Sequence, residues 1–147
     1  MQLVYLDYNC FQRPFDNPLD TRIQIEALAC LEIIRRADEG EIELVWSFMH
    51  DDESRLCPFP DRQTEMFRLA GVCRKRQGPA DPIRNRANRL VTEQRLSAKD
   101  AMHLAAAIES ESDFFLTCDD TLMHRASRAS LGIALMNPVD YIRSIGT

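Results

Sequence analysis

Two periodicities alternate along this chain: short continuous apolar runs, and longer stretches in which apolar residues recur every three or four positions. QLVYL at 2–6 is a short apolar run closed by Asp7, the pattern of a strand buried on both faces. A polar, proline-containing stretch follows to Pro18, in which Tyr8 and Asn9 begin no evident helix. From Asp20 or Thr21 to about Asp38, Ile23, Ala27, Leu31 and Ile34 recur at helical spacing, and Gly40 supplies a stop. IELVWS at 42–47 has strand composition, and FMHDDESRL continues as a helix until Pro58 and Pro60 break it. Asp61 is placed to cap a helix running through about Ala70, and Gly78 and Pro79 lead into a short helical stretch near 82–94. Ser97 opens SAKDAMHLAAAIES, an alanine-rich helix with Met102, Ala105, Ala106 and Ile108 turned inward. DFFLT at 113–117 reads as a strand, CDD leads to a helix over about 121–129, GIALMN makes a final strand, and Pro138 starts the terminal helix.

Strand and helix alternating in this way predict an α/β fold, with a parallel sheet covered by helices on both faces. With 147 residues and neither an internal repeat nor a linker, the chain reads as one domain over 1–147. The longest apolar runs, such as LAAAI at 104–108, fall far short of the roughly 20 residues that span a bilayer, so no membrane segment is expected. MQLVYLDYN has no basic region ahead of its apolar stretch and carries Asp7, which argues against a secretory signal and for a cytoplasmic protein.

Charge sharpens the picture. The formal net charge of −5 disfavours a protein that coats DNA. Yet residues 68–95 carry eight basic groups against two acidic: Arg68, Arg74, Lys75, Arg76, Arg84, Arg86, Arg89 and Arg95. Arginine offers a planar fork that matches phosphate oxygens, so this segment reads either as a solvated helix face or as a contact for a phosphate-rich partner.

The five cysteines, at 10, 30, 57, 73 and 118, form an odd, scattered set with no C-x-x-C pair. Such a set argues against a disulfide framework or a soft-metal site, and the expected role is that of small buried hydrophobes. His50, His103 and His124 have no zinc-ligand spacing, and no signature supports Cys57 or Cys118 as a nucleophile. His103, three residues after Asp100, reads as a packing residue, with a role beside the acid as the alternative.

The carboxylates are more informative. In open parallel sheets ligands gather beyond the carboxyl ends of the strands. Asp7 closes the first strand, and Asp119 and Asp120 follow the strand ending at Thr117. Asp100 lies in the first turn of a helix expected to start at the same edge, and Asp51, Asp52 and Glu53 follow the 42–47 strand. Each has a local explanation: Ser97-x-x-Asp100 is a capping box, and Asp119 or Asp120 is placed to cap the next helix. Asp7 is the hardest to explain locally, because an acid at the end of a buried strand costs desolvation. Clustered acids repel one another, and oxygen-only donors point to Mg²⁺ or Mn²⁺ as the compensating cation.

In four places the chain resembles a PIN domain, the small metal-dependent nuclease fold that includes the VapC-like toxins of bacterial toxin–antitoxin pairs. YLDYN at 5–9, continued by FQRPFD at 11–16, looks like the opening strand with its first acid and a nearby Asn. VWSFMHDDES at 45–54 resembles the second motif, where Glu53 best fits the family's glutamate and Asp52 competes with it. SAKDAMHLAAA at 97–107 resembles the third, with its acid at Asp100. FFLTCDD at 114–120 resembles the fourth, with its acid at Asp119 and Asp120 as the competitor. The resemblance covers essentially the whole chain. It implies a Rossmann-like parallel sheet, a divalent cation held by Asp7, Glu53, Asp100 and Asp119, hydrolysis of RNA, a homodimer and an antitoxin partner. Asn9 and Thr117 would orient ligands or water.

Two other readings compete. A phosphoaspartyl phosphatase or receiver-like domain also gathers acids and Mg²⁺, but by resemblance to its families it needs a lysine at the site. The chain has only Lys75, in a segment without evident order, and Lys99, which precedes Asp100 on a helix. The other is a PIN-like module that keeps the fold and acts through protein contacts alone; retention of all four acids speaks against it.

Overall fold

The computed structural model describes residues 1–145. Five strands, β1 (Leu3–Leu6), β2 (Glu43–Ser47), β3 (Lys75–Gln77), β4 (Phe114–Leu116) and β5 (Ala134–Met136), form one sheet. Its order is β3-β2-β1-β4-β5, with every neighbouring pair parallel. Eight α-helices connect and flank the strands: α1 (Tyr8–Gln12), α2 (Thr21–Asp38), α3 (Phe48–Leu56), α4 (Pro60–Val72), α5 (Asp81–Gln94), α6 (Ala98–Glu109), α7 (Asp120–Ala126) and α8 (Pro138–Ile145).

The strand pleat distributes side chains to two cores. Val4 and Leu6 of β1, Leu44 and Trp46 of β2 and Leu116 of β4 pack with Phe11, Cys30, Ile33, Met66 and Tyr141 on one face. Tyr5, Val45 and Phe115, the alternate positions of the same strands, pack with Ile83, Leu90, Leu104 and Leu122 on the other. The sheet is therefore the middle layer of three, and its central strands are apolar on both sides because both sides are covered.

Several expectations are corrected. Tyr8 does begin a helix: α1 follows Asp7 directly, with Asp7 as its N-cap residue but without a side-chain cap bond. Asp61 is not a cap; Phe59 holds that position and Pro60 takes the first turn, where the missing N–H costs nothing. The helix after CDD is shorter than expected, ending at Ala126. In α6 the buried positions are Ala101 and His103 through Ala107, with Met102 and Ile108 only partly covered. Lys75, expected in a segment without order, opens β3, which pairs Lys75, Arg76 and Gln77 with Val45, Trp46 and Ser47. This strand has no apolar pattern because it is an exposed edge, where charged side chains discourage pairing with another chain.

The order of strands locates the binding crevice. From β1 the chain winds outward through β2 to β3, then returns across the sheet to place β4 on the other side of β1. The carboxyl ends of β1 and β4 thus flank the point where the connections diverge, the place where open α/β sheets bind ligands.

A candidate acidic metal centre at the sheet's switch point

Asp7 stands at the end of β1 and is 5% exposed. Its Oδ2 accepts hydrogen bonds from Thr117 Oγ1 at 2.8 Å and Asn9 Nδ2 at 3.2 Å. Asn9 also donates to Thr117 Oγ1 at 3.1 Å and accepts from the Cys118 N–H at 3.2 Å, so it fastens the end of β1 to the end of β4. Burial raises the Asp7 pKa above the ordinary carboxylate value; the nearby His103 and the Thr117 bond oppose this, and the charges of Asp100 and Glu53 add to it. Burial of this kind disfavours the charged carboxylate, and a nearby cation would favour it.

Asp119 is the N-cap of α7: its Oδ1 accepts from Leu122 N at 3.1 Å, and its own N–H donates to the same Thr117 hydroxyl at 3.1 Å. Asp120 turns away to form a two-pronged pair with Arg22 at 2.7 and 2.8 Å, on the exposed side. Asp100 sits in the first turn of α6, where Ser97 Oγ caps its N–H at 3.1 Å. Ser97 thus caps α6 as expected, while no return bond from the Asp100 carboxylate completes a capping box.

The three acids after β2 have separate destinations. Asp51 accepts the Trp46 indole N–H at 2.7 Å. Asp52 is exposed, 3.5 Å from Arg55. Glu53 points inward: its Oε1 bonds His103 Nε2, and its Oε2 lies 3.7 Å from Lys99 Nζ. Lys99 therefore does reach the acids, although its place on a helix before Asp100 suggested otherwise.

Beneath the rim lies a feature that sequence reasoning missed. His103, fully buried, continues from Glu53 to Tyr5: its Nδ1 lies 2.7 Å from the Tyr5 hydroxyl, which is 2.7 Å from Ser47 Oγ. Ser47 meets His50 Nδ1, and His50 Nε2 donates to the Leu6 carbonyl at 2.7 Å. One proton direction follows from the His50 end of the chain. The Ser47 N–H donates to His50 Nδ1 at 2.9 Å, so that ring carries its proton on Nε2. His103 donates from Nε2 to the Glu53 carboxylate, and its Nδ1 shares a hydrogen bond with the Tyr5 hydroxyl. Burial, and then the neighbouring His103, hold the His50 pKa well below the ordinary imidazole value, and burial pushes Tyr5 well up. The sole sequence signal was a histidine on an otherwise alanine-rich helix.

The donor set suits a hard divalent cation. Asp7 Oδ1, both Asp100 oxygens and Asp119 Oδ2 accept no hydrogen bond or ion pair among the described residues. Glu53 differs, because His103 and Lys99 engage its two oxygens. Among the described residues no three acid oxygens lie within 4.8 Å of one another; only the sulfurs of Cys10, Cys30 and Cys118 come that close. A cation among these acids would retain much of its water, as Mg²⁺ commonly does.

Comparison with known proteins agrees at the level of architecture. No family model matches the chain, and no curated protein gives a significant sequence match. Solved structures do: the crystal structure of FitAcB from Neisseria gonorrhoeae is 16% identical, with a TM-score of 0.59 over 92% of this chain and 97% of that one. The structure of FitAB bound to an IR36 DNA fragment is 17% identical, with a TM-score of 0.61 over 92% of this chain and 95% of that one. The fold is PIN-like. In this PIN-like frame Asp7, Asp100 and Asp119 come from three segments to one edge, with Glu53 behind them. The arginine-rich segment divides: Arg68 pairs with Glu65 and Arg84 with Asp81, Arg74 and Arg76 bond backbone carbonyls, while Lys75, Arg86 and Arg89 have no such partner among the described residues. No helix of the described residues is long and apolar enough to cross a membrane.

Proposed function

We propose that this chain is a divalent-metal-dependent endoribonuclease and the toxin component of a toxin–antitoxin pair. The observation that carries this reading is the set of unbonded carboxylate oxygens on Asp7, Asp100 and Asp119 at the switch point. Asp7, Asp100 and Asp119, with Glu53 directly or through water, would hold Mg²⁺ or Mn²⁺. When bound, such an ion lowers the pKa of a water and screens the charge that develops on a phosphodiester. The protein's own contribution is positional. Thr117 and Asn9 fix Asp7 Oδ2 and so orient its other oxygen. The α7 cap bond fixes Asp119, and the His103–Tyr5 chain orients Glu53. Arg86 and Arg89 of α5, without an ion pair among the described residues, would hold the RNA backbone. The partners on this reading are an RNA substrate, an antitoxin protein and a second copy of the chain. Exposed Leu56, Phe59 and Phe67 along α3 and α4 suit a protein partner.

The test is cleavage of single-stranded RNA with Mg²⁺ or Mn²⁺. EDTA, Asp7→Asn or Asp100→Asn should each reduce it at least a hundredfold, and activity that survives all three sinks the assignment. Lys99 beside Glu53 is the feature a phosphoaspartyl reading would use, and labelling of Asp7 by a small acyl phosphate would favour that reading. If calorimetry finds no Mn²⁺ bound at millimolar metal, the chain is a binding module.

A further inference from the structure

Three of the five scattered cysteines meet. Cys10 comes from α1, Cys30 from α2 and Cys118 from the turn after β4, and their sulfurs all lie within 4.8 Å of one another. Cys10 and Cys30 are fully buried and Cys118 is 5% exposed. All three are free thiols. The pattern of spacing concealed this, because the sheet topology, not a local loop, brings the segments together. We propose that Cys10, Cys30 and Cys118 form a trithiolate site for a thiophilic monovalent cation of the copper(I) class.

Geometry and ligand chemistry carry the argument. With metal–sulfur bonds of about 2.3 Å, a trigonal three-sulfur site has sulfur–sulfur edges of about 4.0 Å. The sulfurs therefore need to close by about 0.8 Å at most, which small changes in χ1 would supply. Thiolates select soft cations, so Mg²⁺ has no claim on this site. Structural zinc is almost always four-coordinate, and no His, Asp, Glu or further Cys joins the three sulfurs at this spacing among the described residues. Three sulfurs without a fourth donor suit copper(I). Binding replaces each S–H bond by a sulfur–copper bond, the protons pass to solvent, and no oxidation state changes. Cys10 Sγ gives up its hydrogen bonds to the Leu116 carbonyl and Asn9 Oδ1, both at 3.4 Å. Arg13, adjacent to Cys118 and 3.1 Å from Glu26, supplies positive charge next to the thiolates.

The site stands apart from the acidic rim in chemistry but touches it in sequence. Cys10 follows Asn9, and Cys118 lies between Thr117 and Asp119. Occupation would clamp α1, α2 and the β4–α7 turn together. The inference does not depend on the nuclease reading, because its readout is copper binding rather than RNA cleavage.

The experiment is an anaerobic competition between the folded full chain and a coloured copper(I) chelator. One equivalent of copper should be withdrawn, with a rise in Tm. Cys10→Ser, Cys30→Ser and Cys118→Ser should each weaken binding at least tenfold, while Cys57→Ser and Cys73→Ser should not. Far-UV circular dichroism checks the fold of each variant. If a serine variant fails to fold, X-ray absorption of the loaded wild type decides instead: three sulfur neighbours support the site, and nitrogen or oxygen neighbours overturn it. No copper withdrawn, undiminished binding by Cys118→Ser, or preferential binding of Zn²⁺ also overturns it.

Discussion

Replacing Tyr5 by Phe removes one oxygen from the buried chain beneath the acids and leaves the ring in place. Tyr5 is fully buried, and its ring stacks on Phe115 at 5.5 Å between centroids, so the substitution opens almost no cavity. Its hydroxyl is hydrogen-bonded to His103 Nδ1 and to Ser47 Oγ, both at 2.7 Å. Without it, Ser47 turns its proton to His50 Nδ1, already 3.1 Å away, and suffers little. His103 has no such alternative, because its Nε2–H is committed to Glu53. The buried His103 Nδ1 is therefore left unpaired, at a cost of about 1–3 kcal/mol. For a chain of this size that corresponds to a fall in Tm of roughly 3–9 °C. Urea unfolding should show a lower midpoint with unchanged m-value, since the surface exposed on unfolding is the same. Tyr141→Phe, whose hydroxyl bonds the half-buried Gln2 side chain, is the control and should lose less. A Tyr5→Phe loss below about 0.5 kcal/mol, less than the net worth of a single hydrogen bond, would refute the connected chain deduced from these distances.

Further expectations concern the acids and histidines. Asp7→Asn, studied without metal at neutral pH, should raise Tm because it removes a carboxylate whose burial disfavours its charge, and it should abolish the Mn²⁺-induced rise seen in wild type; an unchanged Mn²⁺ response would remove Asp7 from the site. Asp119→Asn and Asp120→Asn should separate cleanly in the RNA assay: the first loses activity while its amide oxygen still caps α7, and the second, which breaks only an exposed pair with Arg22, changes neither activity nor Tm appreciably. His50 has a folded-state pKa well below its unfolded value near 6.5, so the unfolded chain takes up the proton first. Its contribution to stability is thus present above about 6.5 and is lost as pH falls below it. His50→Gln should flatten that part of a pH-dependent urea series, and an unaltered slope would count against a buried neutral imidazole.

The central elements were legible because their burial is written in composition. β1, β2 and β4 lie between two helical layers, so their residues are apolar at consecutive positions, and α2 and α6 show helical spacing with recognisable caps. β3 was not legible, since Lys75, Arg76 and Gln77 owe their strand to a backbone ladder with β2. Nor was α1, a five-residue helix without a side-chain cap. The placement of acids at strand ends points to the rim and the resemblance favours Glu53 and Asp119, but the different contacts of Asp51, Asp52, Glu53, Asp119 and Asp120 were not legible, because neighbouring carboxylates differ in direction rather than type. The histidine chain and the cysteine trio were hidden for a different reason: their members belong to segments joined only by the sheet.

The hydrogen bond from Thr117 to Asp7 spans 110 positions of the chain. Until β4 has been made and has paired beside β1, Asp7 has no fixed orientation and Asp119 is absent from its side. Pairings of such separation form late, after their loop-closure entropy has been met. During synthesis, the elements from β1 through α5 can form helices and begin the sheet while the acidic rim is still incomplete. On the proposed function, cutting activity would switch on only once β4 has emerged and paired beside β1, which leaves a partner protein a defined interval in which to meet the chain before it can act.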